Sequence, residues 1–395
     1  MQNFVYCAPT EIVFGKGVEN QTADYVKKYG GSKVMIVYGG GSVIRSGLLA
    51  KLQAQFREAD IAYLEHGGVE PNPSLAHVRE GVKKALDFGV DMILGVGGGS
   101  AIDAAKAIAH GVANPERDVW DWFNKLLKLT LPKTLPIGVV LTMAAAGSET
   151  SDSCVITDND AQQKLGLGTN LNRPKFAIMN PEFMYTLPDY QMACGVTDIM
   201  MHTIDRYFTR VKGNETTDMI AEGLLRTVVK NGRLAMKDRH DYQALSELMW
   251  CASLSHVGLT GLGNKTDFVT HIISQELSGH YGLTHGAALT VIWPAWTQYV
   301  LEEDPSRFAQ FGRNVWGVQE ADDLAAAKAG IAAQIAFFKE LGLPTCMSET
   351  EYGVRPDSEM LAMADMCCGF GRTRFGGFKE VEHDDVYKIL QLCNV

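Results

Sequence analysis

The chain has 395 residues, of which 46% are hydrophobic and 21% charged, with a formal net charge of −10. Its length points to two or three domains or one large two-lobed unit, and its composition is that of a globular protein with a substantial core. Acidic and basic residues are interspersed without a Lys/Arg cluster, so nucleic acid is not an expected partner. The longest apolar runs, such as residues 137–147, fall short of a bilayer span, so no membrane segment is expected.

The first residues, MQNFVYCAPTEIVFGKG, lack a basic region leading into an apolar one, and no secretory signal is expected. Eight cysteines are scattered at positions 7, 154, 194, 251, 346, 367, 368 and 393 with no CxxC pair. Such scatter reads as reduced thiols and a cytoplasmic location. In chain order, KVMIVY (33–38) is followed by a glycine cluster and a helical pattern near 43–58. DMILGV (91–96) runs into GGGS and the alanine-rich AIDAAKAIAHGV, and PIGVVLT (136–142) reads as another buried strand. This strand–turn–helix rhythm predicts an α/β parallel-sheet domain over residues 1–186. From Asp189 onward, segments 216–236, 242–259 and 322–341 have helical spacing and convincing strands are absent, which predicts an all-helical domain over 187–395.

Two GGGS tetrads, Gly39–Ser42 and Gly97–Ser100, each follow a strand. Neither is a GxGxxG fingerprint, so an ordinary Rossmann assignment is not licensed. Glycines at a strand's C-terminal end nevertheless let the backbone approach a phosphate, and the next helix presents free N–H groups. Gly97, Gly98, Gly99 and Ser100 make the better pyrophosphate candidate, with Asp103 and Lys106 in the helix that follows. At the first tetrad an acid would hold an adenosine ribose and repel a 2′-phosphate. Gly39, Gly40, Gly41 and Ser42 stand there instead, with Arg45 one turn on, which favours NADP(H) over NAD(H).

In the helical half, Asp198 and His202 are four apart, on one helix face and about 6 Å from each other, a spacing suited to one divalent ion. His271 and His285 would lie roughly 21 Å apart on an unbroken helix. They converge only if the chain breaks between them, and SGHYG (278–282), with Gly279 and Gly282, supplies a break. Asp198, His202, His271 and His285 then make a set suited to Fe²⁺ or Zn²⁺. His280 reads as a solvent-facing or turn residue, and His256 as a core histidine.

These residues carry a resemblance. The chain resembles the iron-containing (group III) alcohol dehydrogenases, in the butanol dehydrogenase and NADPH-dependent aldehyde reductase branch. The similarity runs colinearly through PTEIVFGKG, GGVEPNP, GVGGGSAIDAAKAIA, AAGSET, GVTDIMMHTIDRYF, DFVTHIISQELSGHYGLTHG and GGFKEVEHDDVYKIL. It implies a dehydroquinate synthase-like fold, with a nucleotide-binding domain, a helical metal-binding domain and a cleft between them. It implies that Asp198, His202, His271 and His285 hold the metal. The pyrophosphate would lie on Gly97–Ser100 with Asp103 behind, and the nicotinamide half near Thr142 and Lys164. Gly40 and Ser42 match the 2′-phosphate site of the NADPH-preferring branch, and a homodimer is implied. Two positions depart from the pattern: Ala146 replaces a threonine, and Gln275 stands where many relatives carry a histidine. Glutamine there, in the expected vicinity of the substrate, hydrogen-bonds but carries no proton at neutral pH.

The implied reaction is reversible reduction of short-chain aldehydes such as butanal to primary alcohols by hydride transfer, with a divalent metal as Lewis acid. The alternatives are a polyol or diol dehydrogenase of the same superfamily, a dehydroquinate-synthase-like lyase, and a catalytically silent metal- or nucleotide-binding protein. The lyase would need a denser basic set for an anionic substrate, and a silent protein has no reason to keep four ligands.

Overall fold

The computed structural model describes residues 1–161, 163–369 and 373–395. The chain divides into two compact units, Cys7–Thr186 and Leu187–Val395, the latter including Met1–Tyr6. The first six residues thus leave the sheet-containing unit in which the sequence rhythm would have them. The Gln2 N–H donates to the Gly263 carbonyl at 2.9 Å and the terminal ammonium to the Lys212 carbonyl at 3.2 Å.

The unit Cys7–Thr186 is built on a parallel sheet of β1 (Glu11–Phe14), β2 (Lys33–Gly39), β3 (Ala62–Val69), β4 (Met92–Gly97), β5 (Ile137–Leu141) and, after a hairpin, β8 (Phe176–Met179). The hairpin pairs β6 (Ser153–Asp158) with β7 (Gln163–Gly168) antiparallel. The sheet order is β1-β8-β5-β4-β2-β3. VMIVY (34–38) is apolar throughout because both faces of β2 are covered. Met35 and Val37 join Ile93 and Ile137 in one core, while Val34, Ile36 and Tyr38 join Leu52 and Phe56 in the other. The expected helix near 43–58 is two, Ser42–Arg45 and Leu48–Glu58, split where Gly47 takes a φ of +77°.

The topology positions a ligand site. From β2 the chain goes outward to β3 on one side, then returns to place β4 on the other, so β2 and β4 flank the point where strand order reverses. Open α/β sheets bind ligands at the carboxyl ends of such strands. Tyr38 pairs with Val96, so the two glycine tetrads emerge side by side.

In the second unit the segments expected to be helical form Glu215–Lys237, Tyr242–His256 and Asp323–Glu340. Among the described residues the β-pairing there is the isolated bridge between Phe375 and Val381. The helix Asp189–Tyr207 is buried at every residue from Met192 to Tyr207. Its buried positions include Thr197, Asp198, His202, Asp205 and Arg206, and polar side chains at such depth require partners.

Candidate functional site

Asp198, His202 and Asp205 recur at i, i+4 and i+7, which sets them along one face of the buried helix. Asp198 Oδ1 is the point on which the histidines converge. His202 Nδ1 lies 3.3 Å from it, His285 Nε2 3.7 Å and His271 Nε2 3.8 Å. Two ligand atoms on one ion, at bonds of about 2.1 Å in a tetrahedral shell, sit roughly 3.4 Å apart, so these separations match the edges of a coordination shell. Asp198, His202 and His271 each offer an atom within 4.8 Å of the others.

The residues also fit a metal by their unsatisfied chemistry. Asp198 Oδ1, His202 Nδ1 and His271 Nε2 are buried and make no hydrogen bond. Orphaned polar atoms at that depth are costly, on the order of 1–3 kcal/mol each, and all three face one another. Burial, with His256 next, pushes His202 well below the usual histidine range, which leaves its imidazole neutral as a ligand must be. Burial is the largest effect on His271 too, but the Asp205 and Asp198 carboxylates together outweigh it and raise that group to about 9, so a metal there would displace a proton on binding.

Asp205 is the orienting partner. Its Oδ2 accepts from His271 Nδ1 at 2.6 Å, which fixes the ring's orientation and makes Nε2, on the side facing Asp198, the atom that would donate to a metal. An Asp205→Asn variant is expected to bind Zn²⁺ about 10- to 100-fold more weakly, the range for such partners. Chelator competition on the folded protein checks this, and an unchanged affinity contradicts the role.

The chain turn between His271 and His285 differs from expectation in one respect. The helix Val269–Tyr281 runs through Gly279 and His280, and ends at Gly282, the residue with φ of +70°. His285 then opens the helix His285–Val300. That helix crosses Asp189–Tyr207 at Gly286, where a methyl group would overlap the Cys194 backbone, 2.6 Å from its Cα. The glycine permits the approach that carries His285 to Asp198. His280 is exposed, and Gln275 is half-buried one turn beyond His271. Sequence reasoning missed Asp205, whose i+7 spacing from Asp198 was a usable signal. His256 is buried, as expected of a core histidine, with its ring edge-on 4.1 Å from that of His202.

In the sheet-containing unit the second tetrad runs into a fifteen-residue helix, Gly99–Ala113, whose N-cap Gly98 provides no side-chain cap. First-turn N–H groups in that setting suit an anion. Gly97 has a φ of +152°. Asp103 stands behind the turn, accepting from the Ser148 hydroxyl at 2.6 Å and the Val155 N–H at 3.0 Å. Lys106, fully buried, donates to Ser148 Oγ at 2.9 Å and to the Ser153 carbonyl at 2.7 Å, tying this helix to the loop after β5. Thr142 begins that loop, its N–H on the Gly97 carbonyl at 3.0 Å. The Ala146 methyl lies 3.4 Å from where a side chain on Gly99 would begin, so an apolar group stands against the turn at the position that departs from the family pattern. Lys164, on β7, donates to Asn72 Oδ1 at 2.8 Å. At the first tetrad Gly41 has φ +128°, and the Arg45 guanidinium reaches within 2.9 Å of where a Gly41 side chain would begin. Gly40 and Ser42 flank it, and the helix that starts at Ser42 is only four residues long.

This arrangement, a phosphate-type turn on a parallel sheet and a buried Asp/His cluster in an all-helical unit, is that of a nucleotide- and metal-dependent oxidoreductase. The chain belongs to the iron-containing alcohol dehydrogenase family, in its butanol dehydrogenase and aldehyde reductase branch. The family profile "Iron-containing alcohol dehydrogenase" matches residues 9–181, and "Fe-containing alcohol dehydrogenase family, C-terminal" matches residues 192–393. The chain is 39% identical to NADH-dependent butanol dehydrogenase A of Clostridium acetobutylicum over 393 residues, 99% of each chain. It is 33% identical to the NADPH-dependent aldehyde reductase YqhD of Escherichia coli over 385 residues, 97% of each. The crystal structure of NADH-dependent butanol dehydrogenase A from Thermotoga maritima superposes with a TM-score of 0.95 at 32% identity, covering 100% of this chain and 99% of that one.

Proposed function

We propose that the protein is a metal-dependent aldehyde reductase and alcohol dehydrogenase that interconverts short-chain aldehydes such as butanal with primary alcohols, using NADP(H) in preference to NAD(H). The observation that carries the reading is the set of three buried, unbonded atoms, Asp198 Oδ1, His202 Nδ1 and His271 Nε2, with His285 Nε2 3.7 Å from the first, in a chain of this family. Asp198, His202, His271 and His285 are the proposed ligands of one Fe²⁺ or Zn²⁺. When bound, the metal supplies Lewis-acid polarisation of the substrate carbonyl and the nicotinamide supplies the hydride.

The chain's own side chains set the conditions for that chemistry. Asp205 holds the His271 ring with Nε2 on the side facing Asp198. Gly97–Ser100 present helix N–H groups to a pyrophosphate, stiffened by Asp103 and Lys106. Thr142 and Lys164 are the proposed contacts to the nicotinamide half. Gln275, beside the proposed metal site, positions a substrate hydroxyl by hydrogen bonding and leaves proton transfer to other groups. The NADP(H) preference rests on Gly40, Ser42 and Arg45, a carboxylate-free turn with a cation at its side. The names of the relatives divide on this point, between NADH-dependent butanol dehydrogenases and an NADPH-dependent aldehyde reductase. A homodimer in a reducing cytoplasm is the setting that the family resemblance and eight cysteines outside disulfides favour, and no described helix is long and apolar enough to cross a membrane.

A paired assay tests the reading: oxidation of NADPH and of NADH with butanal and a panel of short aldehydes, before and after chelation. The expected result is turnover with a lower KM for NADPH, loss on chelation, and recovery on adding Fe²⁺ or Zn²⁺. A lower KM for NADH overturns the reading of Ser42 and Arg45. Faster oxidation of diols, as in the name of the 28%-identical 1,3-propanediol dehydrogenase of Klebsiella pneumoniae, supports the diol alternative. No turnover with either cofactor supports a silent binding protein.

A further inference from the structure

We infer that Asp267, together with the distant residues 376–378, is a positioning device that aims His271 at the metal site. The inference rests on the metal-centre reading and extends it to a part of the chain 110 residues further on. Phe268 is the N-cap of the helix that carries His271 as its third residue, and it lies in the left-handed region at φ 59°, ψ 11°. That backbone is disfavoured for a bulky side chain and persists only where its surroundings impose it.

Asp267 supplies the constraint. Buried at 3% exposure, it donates its N–H to the Asp205 carbonyl at 2.7 Å. Its Oδ2 accepts from the Val269 N–H at 3.3 Å, on the far side of Phe268. Its Oδ1 accepts from the N–H groups of Gly377 and Phe378 at 2.9 and 2.8 Å. A side chain at 377 would come within 2.5 Å of the Lys265 carbonyl oxygen, so only glycine lets this segment approach. Phe378 is anchored in turn, its ring 5.5 Å from that of Phe308 and 6.0 Å from those of Phe208 and Trp296. Asp205 therefore meets both ends of the device, its carbonyl on Asp267 and its carboxylate on His271. Release of Phe268 from its left-handed torsion would rotate the first turn of the helix and move His271 Nε2 off Asp198.

The test is a double-mutant cycle read as Zn²⁺ affinity of the folded full chain, by competition with a chromophoric chelator. Asp267→Asn keeps one acceptor oxygen for residues 377 and 378 but turns a donor toward the Val269 N–H, and affinity is expected to fall about tenfold, within the range for orienting groups. Phe268→Gly removes the torsional conflict, and with it the ring that lies 5.4 Å from that of His271, so its own affinity is the baseline, and adding D267N to F268G should cost less than about twofold. Wild-type affinity in D267N overturns the inference, even if the melting temperature falls, because that is the signature of a merely structural residue. A loss from D267N in the F268G background as large as that in the wild type also overturns it. His271→Ala is run alongside: if that variant keeps Zn²⁺ at wild-type affinity, the metal-centre reading has failed rather than this extension of it.

Discussion

His271→Ala is expected to yield a folded protein that retains less than a tenth of the wild-type metal and reduces butanal about a thousandfold more slowly. A Lewis acid contributes several kcal/mol to stabilising developing charge on a carbonyl oxygen, and each 1.36 kcal/mol is tenfold in rate. The expected loss is that large because the substitution acts on the site twice. It removes one of the proposed ligands, and it leaves Asp205, 1% exposed, without the ring that its Oδ2 accepts from. A buried carboxylate stripped of its partner is strongly destabilising, by about 3–5 kcal/mol, so the variant should also melt at lower temperature. Elemental analysis, steady-state kinetics and thermal unfolding on one preparation check all three effects. Full turnover in a metal-depleted variant would sink the Lewis-acid reading.

Gly286→Ala is expected to weaken Zn²⁺ binding at least tenfold although residue 286 touches no ligand atom. The added methyl would meet the Cys194 main chain, which cannot rotate aside as a side chain would. The two helices must then separate, at a cost of about 1–3 kcal/mol for overpacking. Cys194 lies one turn before Asp198 and Gly286 directly follows His285, so the separation opens the gap between those two proposed ligands, now 3.7 Å. Chelator competition and a melting curve measure the two consequences. A variant with both values unchanged would show that the crossing is not what sets His285.

Much of this was legible from the sequence, for physical reasons that can be named. The tetrads stood out because glycines followed buried β-branched runs, and the sheet places them on neighbouring strands. The helices 215–237 and 323–340 announced themselves by 3.6-residue spacing. Other elements gave no such signal. β1 and β8 are four residues each, and β7, QKLGLG, alternates leucine with glycine, a poor strand former. Which of Gly279 and Gly282 ends the helix depends on a torsion angle, and only Gly282 is left-handed. Asp205 could have been found by its spacing from Asp198. The hydrogen bonds of Asp267 to residues 377 and 378 could not, because no periodicity links positions 110 apart. Nor does the sequence show that Met1–Tyr6 joins the helical unit, which follows from backbone hydrogen bonds to Gly263 and Lys212.

One divalent metal, held by Asp198, His202, His271 and His285, is the proposed requirement for aldehyde reduction. Elemental analysis of freshly purified protein, joined to butanal-dependent NADPH oxidation on the same sample, tests it most directly. Close to one Fe²⁺ or Zn²⁺ per chain is expected, with activity that falls in proportion as chelation removes it. Protein that contains no transition metal and reduces butanal at an undiminished rate would contradict it.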